Sequence, residues 1–258
     1  MTDLDRRFSS LNRLYGDATR DALRRAHVCV VGVGGVGSWA VEALARCGVG
    51  KLTLIDADHV AESNVNRQVQ ALTPTLGMAK ISALRERIEQ INPECVVVEI
   101  DDFVATDNLN VIPHDAIVLD CADQIQAKFA MIEECRRRKQ PLLTCGAAGG
   151  KTDGTRVQFA DLAHTVQDPI LAKIRQQLRD RYKRNPDEKS AAMKSSNNKK
   201  APKMHVEVLY SDEHVRFPDG SNTAPQGLNC AGFGSSVMVT ASFGMAAAQW
   251  AVAKVLDV

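Results

Sequence analysis

One stretch constrains this chain more than any other: Val28-Cys29-Val30-Val31-Gly32-Val33-Gly34-Gly35-Val36-Gly37-Ser38, followed by Lys51-Leu52-Thr53-Leu54-Ile55-Asp56-Ala57-Asp58. It reads as strand, glycine turn, helix, strand, acid. Gly32 permits the tight turn, Gly34 lets backbone approach a phosphate, with Gly35 beside it as a further candidate for the nucleotide, and Gly37 lets the helix pack on the strand. The helix then opens with unpaired N–H groups and a partial positive charge. Asp56 ends the second strand, near the roughly 20-residue offset at which an acid meets ribose hydroxyls. The pattern predicts a nucleotide site on an α/β sheet.

The 258 residues are 45% hydrophobic and 24% charged, ordinary globular proportions. Net charge is +1, so no global field argues for nucleic acid. The distribution is uneven, however. Between Lys173 and Lys203 stand eleven Lys/Arg against three Asp/Glu, an excess of eight that leaves about −7 for the rest. This segment is either a surface for a polyanion or a solvated loop. The seven cysteines form no CxxC pair, so no zinc framework of that type is expected. Most read as small core residues in a reducing, cytoplasmic compartment. Met1 to Arg7 are polar and charged, and no secretory signal is expected there. Ala231 to Val255 is apolar over about a bilayer span, but its Gly, Ser and Thr content suits a helix buried against a sheet.

Along the chain, one or two short helices are predicted over Arg6–Arg24. Strands follow at 28–33, 51–55, 95–100, 116–119 and 141–144, with helices at 38–46, 80–90 and 128–138. Their uninterrupted apolar character predicts a parallel sheet covered on both faces. After Gly150, 155–159 and 206–210 alternate and read as an antiparallel addition to that sheet. Residues 168–184 read as helix, and 185–203 as a basic mobile loop. The expected organisation is a single domain over 1–258. It comprises N-terminal helices (1–27), a nucleotide-binding half (28–150) and a C-terminal half (151–258).

Beyond the glycine loop come Asp56-x-Asp58, Ser63-Asn64-Val65-Asn66-Arg67-Gln68, Gly77-Met78-Ala79-Lys80 and Leu119-Asp120-Cys121-Ala122-Asp123. A nicotinamide dehydrogenase shares the glycine loop but has no use for Arg and Lys converging on phosphates. An enzyme that activates a carboxylate with ATP does, because its transition state spreads negative charge over the transferred phosphate. In this order and spacing, over Arg6–Gly150, the set resembles the ubiquitin-activating-enzyme-like superfamily of adenylating enzymes. The resemblance implies a Rossmann-like doubly wound sheet, mostly parallel with antiparallel C-terminal strands. It also implies that Asp56 binds ribose, and that Asp58, Ser63, Asn64, Asn66, Arg67, Gln68 and Lys80 surround the ATP. Arg67 and Lys80 would stabilise transferred charge, and Asp123 would serve Mg2+ and the adenylate. Arg13 matches an arginine supplied across a dimer interface, which implies a homodimer.

The second half narrows the resemblance. It lacks the paired zinc cysteines of the sulfur-carrier adenylyltransferases. Thr144–Lys151, Asp161–Ile170 and Asn229–Ser235 instead resemble the branch that dehydrates threonylcarbamoyladenosine in tRNA. That branch implies ATP-driven closure of a threonylcarbamoyl group, with tRNA phosphates on the basic segment and on Arg136-Arg137-Arg138-Lys139. It also implies a monovalent cation (Na+ or K+) held by carbonyls. The competing expectation is activation of a ubiquitin-like sulfur carrier. Cys230 is open to three readings: a catalytic thiol, an acceptor for sulfur from a cysteine desulfurase system, or inert structure.

Overall fold

In the computed structural model, residues 4–184, 202–217 and 233–258 are described. Two helices, α1 (Leu4–Tyr15) and α2 (Thr19–Arg25), lead into β1 (His27–Val31). There follow α3 (Gly37–Arg46), β2 (Lys51–Ile55), α4 (Lys80–Ile91), β3 (Val96–Ile100), β4 (Ile117–Asp120), α5 (Ile125–Arg138) and β5 (Leu142–Cys145). The second half adds β6 (Val157–Asp161), α6 (Pro169–Arg184), β7 (Glu207–Ser211) and α7 (Val237–Leu256). The strands form one sheet in the order β3-β2-β1-β4-β5-β7-β6.

The continuous apolar run of β1 places it inside that sheet, between β2 and β4, buried at every position. Successive side chains point to opposite faces. Val28 and Val30 join the core beneath α3, α4 and α7, while Cys29 and Val31 join the core beneath α5. Both layers of helices are thus written into five residues. α3 brings Ala40, Val41, Leu44 and Ala45 to its layer. α7 brings Val239, Phe243, Ala247 and Ala251, one face of a helix at four-residue spacing and wholly buried. Its Gly244 meets α3 so closely that an added Cβ would lie 2.5 Å from the Trp39 Cβ. α7 is long and apolar enough to span a bilayer. Its apolar face is spent on the sheet and α3, as the small-residue content of 231–255 predicted.

Two expectations need correction. β7 is not antiparallel to the sheet it joins: it pairs parallel with β5, and β6 alone runs antiparallel, on the outer side of β7. β6 reverses the chain after β5, and the connection through α6 turns it back, so β7 runs parallel to β5. The interior place of β7 explains why Val208 to Ser211 are all buried. Nor is the sheet covered everywhere, because β3 is an edge strand with Val96 and Val98 exposed. Smaller shifts occur at boundaries. β1 stops at Val31, two residues early, where the glycine turn begins, and α5 starts at Ile125, three residues before the expected Lys128.

Candidate nucleotide site

The strand order reverses between β1 and β4, which both pair with parallel neighbours and with each other. A crevice opens outside the carboxyl ends of strands at such a switch point. Here it is a cleft of about 320 Å3. The turn after β1, the turn after β4, residues 146–148 after β5 and the start of α7 line it.

Ten residues singled out from sequence line this one cleft: Gly32, Gly34, Gly35, Asp56, Asp58, Asn64, Arg67, Gln68, Lys80 and Asp123. Gly32 holds a φ of +81°, and a Cβ there would lie 2.9 Å from the Ala122 nitrogen, so the two turns touch. Gly37 does not line the cleft. It makes the helix possible, since a Cβ would lie 2.0 Å from the Gly32 carbonyl oxygen. Gly34, by contrast, has only the Gln68 Nε2 within 4 Å of such a position, at 3.9 Å. No side chain caps α3. Its first amides and the bare backbone at Gly34 are therefore open to an anion's oxygens.

Asp56 is buried and already engaged. Its carboxylate accepts the Val33 N–H at 2.8 Å and the Asp58 N–H at 2.9 Å, tying the end of β2 to the glycine turn. Burial pushes this carboxyl up, against the pull of the Lys80 ammonium and those two N–H groups. Lys80, at the first position of α4, is buried and donates to Asp58 at 2.6 Å. Arg67 donates to the Ser63 carbonyl at 2.5 Å and to the Asn66 side chain at 3.0 Å. Ser63 and Asn66 therefore steer the guanidinium from outside the cleft. The Asn66 amide in turn donates to the Ser235 carbonyl at 2.8 Å, joining this loop to the approach to α7. Asn64 caps its own turn by accepting the Ala61 N–H. Asp123 is exposed at the cleft rim, just before α5.

Some expected residues are elsewhere. Arg13 is exposed on α1 and does not line the cleft of its own chain. Cys230 lies outside the described residues, as does most of the 185–203 loop. The run Arg136–Lys139 is not a phosphate surface as a block. Arg138 turns inward to the carbonyls of Ile112 and Leu109, at 2.9 and 3.0 Å. Arg136 reaches Tyr182 and the Met204 carbonyl. Arg137 pairs with Glu134, and this bond, against slight desolvation and with help from Arg138, brings the Glu134 carboxyl down to about 2. These arginines fasten the end of α5 to its neighbours. On α6, Lys173, Arg179, Lys183 and Arg184 stay exposed, while Arg175 donates inward to Thr165.

Sequence reasoning missed what lies beneath the cleft. Asp120 and Lys128 form an ion pair at 3.0 Å with both side chains fully buried. The Lys128 Nζ also donates to the Cys145 carbonyl at 2.7 Å and reaches the Asp120 carbonyl at 3.3 Å. It thus pins the ends of β4 and β5 together. Burial works against this ammonium, but the Asp120 carboxylate outweighs it and holds Lys128 above its ordinary range. A signal was present: Lys128 falls on the same helical stripe as Ile125, Ile132 and Cys135, a place for an apolar residue unless a carboxylate waits inside.

The ThiF family pattern matches residues 6–258. The chain belongs to the ThiF family. Among ThiF-family relatives, it is 42% identical over 262 residues to the tRNA threonylcarbamoyladenosine dehydratase of Escherichia coli (strain K12), covering 97% of this chain and 93% of that protein. The crystal structure of the E. coli tRNA N6-threonylcarbamoyladenosine dehydratase in complex with ATP superposes with a TM-score of 0.84, covering 99% of this chain and 96% of that one at 42% identity. A molybdopterin-synthase adenylyltransferase of Haemophilus influenzae is 38% identical over 130 residues, half of this chain and 53% of its own length.

Proposed function

We propose that this chain is an ATP-dependent tRNA threonylcarbamoyladenosine dehydratase, closing the threonylcarbamoyl group into a cyclic form with loss of water. The observation that carries the reading is likeness over nearly the whole of both chains to an enzyme of that name whose structure holds ATP. The rival reading, activation of a ubiquitin-like sulfur carrier, has likeness over half the chain only. The whole chain then acts as one adenylation domain, in the cytoplasm where tRNA is.

When bound, ATP supplies the phosphorus that turns an inert carboxylate into an acyl-phosphate anhydride. The chain's residues do the rest. Gly34 and Gly35 present backbone, and the first amides of α3 take phosphate oxygens. Asp56 meets the ribose while bracing the glycine turn. Lys80 exchanges its bond with Asp58 for a phosphate oxygen, and Arg67 leaves the Ser63 carbonyl to do likewise. Fixed cations at that point lower the barrier where charge develops. Asn64, Asn66 and Gln68 hold the loop that carries Arg67. Among the described residues, no group of three or more His, Cys, Asp and Glu is placed to hold a metal. Asp123 would be the carboxylate that holds Mg2+ on the phosphates, where the ion would offset their charge. The threonine carboxylate and the carbamoyl group sit on one substrate, so ring closure is intramolecular and positioning supplies much of the rate. No enzyme nucleophile is needed.

Arg13 reaches the site of a second copy across a symmetric homodimer, where the exposed Leu14 and Tyr15 beside it favour an interface. The exposed cations of α6 meet tRNA phosphates. A monovalent cation, Na+ or K+, and a cysteine desulfurase system acting on Cys230 belong to the same reading through family resemblance. Incubation with ATP, Mg2+ and tRNA carrying threonylcarbamoyladenosine is expected to remove one water from the modified nucleoside, read by mass spectrometry. An unchanged nucleoside mass with nucleotide-bound protein overturns the reading.

A further inference from the structure

The wall of the cleft contains a feature that carboxylate activation does not use. Cys121 follows β4 and lines the cleft, half-buried. Cys145 closes β5 behind it, buried. Each lies one residue beyond the register pair Asp120–Thr144, so the two are neighbours across adjacent parallel strands. Their sulfurs are 3.9 Å apart, and both thiols are free. Neighbouring strands lie about 4.8 Å apart, inside the roughly 4.4–6.8 Å Cα separation that a disulfide spans.

We propose that Cys121 and Cys145 are an oxidisable dithiol, closed to a disulfide by hydrogen peroxide that enters through the nucleotide cleft, and that closure reversibly weakens nucleotide binding. The chemistry balances. The Cys121 thiolate attacks one peroxide oxygen; an S–O bond forms, the O–O bond breaks, and hydroxide leaves to become water. The Cys145 sulfur then attacks the Cys121 sulfur; the S–S bond forms, the S–O bond breaks, and a second water leaves with the Cys145 proton. Two thiols lose two electrons and the peroxide gains them.

The consequence follows from what the two ends touch. Closing 3.9 Å to a bond of about 2.05 Å draws the sulfurs together by nearly 2 Å. The Cys121 N–H is held by the Val31 carbonyl at 2.8 Å, and Cys121 and Ala122 abut the glycine turn at Gly32. Asp123 is two residues on. Residues 146–148, which follow Cys145, also line the cleft. Lys128 straddles the two strand ends from below and limits how far they can yield. Movement therefore passes into the walls of the cleft. The hydrogen bond with Cys145, together with burial, pushes the Cys121 thiol well above its ordinary value, against the nearby Lys128 and with Asp120.

The effect on ATP binding rests on the proposed function, whereas formation of the bond does not. Full-length reduced protein is treated with hydrogen peroxide, free thiols are alkylated, and disulfides are mapped by peptide mass spectrometry. The expected product is a Cys121–Cys145 cross-link, whose formation is slowed by saturating ATP. ATP affinity is expected to fall about tenfold or more, on the scale set by ångström misplacements, and to return with reductant. Cys145→Ala is expected to bind ATP when reduced and to keep that affinity after peroxide. A map with these two thiols still free, or bonded elsewhere, overturns the assignment. A cross-link with unchanged ATP affinity overturns the coupling to the site. ATP binding by the reduced protein, measured in the same assay, separates failure of the proposed function from failure of the dithiol.

Discussion

Two lysine–aspartate pairs lie within the same few residues of the cleft and do opposite work. Lys80 and Asp58 meet at 2.6 Å, with the lysine 7% exposed and the aspartate 56% exposed. Lys128 and Asp120 meet at 3.0 Å with neither exposed at all. The first pair lines the cleft, so water or a ligand oxygen can replace the Asp58 carboxylate at little cost. The second pair has no replacement available. Taking either charge away leaves the other in a medium that solvates it poorly. The same two side chains thus serve as an exchangeable electrostatic device at the surface and as a fastener in the core. Access to solvent decides which.

The largest expected effect breaks the sealed pair. Lys128→Met should cost about 3–5 kcal/mol of unfolding free energy by leaving Asp120 buried and unpaired. Chemical denaturation measures it, and adding Asp120→Leu to the same protein should recover part of the loss. Retained stability in the single variant would mean the two pairs are not as different as their burial says.

Next comes the open pair. Lys80→Ala and Arg67→Ala should each lower the rate of water loss from the nucleoside by about 10²–10³-fold, the scale for removing one donor from a developing anion. Thermal stability should change little, because the Asp58 carboxylate left behind is solvated. A variant that loses its fold, or keeps its rate, would move Lys80 into the structural class.

The smallest effect sharpens the comparison at a carboxylate held by amides instead of lysine. Burial raises Glu213, but the N–H groups of Asp153 and Thr152 and the Thr152 hydroxyl outweigh it, bringing the carboxyl down to about 2 from an ordinary 4.5. A carboxyl lowered in the folded state stabilises above its unfolded value and loses that contribution as pH falls towards its folded one. Glu213→Gln should therefore lower Tm modestly at pH 6, with the difference from the unaltered protein shrinking between about pH 4.5 and 2. A constant difference across that range would assign the effect to packing.

The legible parts of this molecule are those written as local pattern. Lys51–Ile55 appears as predicted, residue for residue, because a short apolar run between glycine and acid has few other ways to be buried. The cleft was legible for the same reason: the glycine turn, the acid after β2 and the cations of two loops all fall at strand ends that the parallel order brings to one side. Where sequence reading failed, the deciding partner was distant. β7 alternates like an antiparallel strand, yet β5 receives it in parallel. Arg136 and Arg138 look like a cationic surface until Tyr182, Met204 and the 109–112 turn are folded against them. Lys128 stands on an apolar stripe, but its partner Asp120 is set only when β4 packs beneath α5.

By itself the sequence determined the strand–turn–helix order, the site of backbone approach at Gly34 and the inventory of charges that a phosphate ligand needs. Short-range periodicity and the steric demands of glycine are properties of neighbouring residues, so they survive in a linear reading. The tertiary structure alone decided which lysine is free to exchange partners and which is locked. It also decided which arginines face water, and that two thiols 24 positions apart touch at 3.9 Å. Those outcomes depend on desolvation and on contacts across the sheet, and neither exists until the chain has closed on itself.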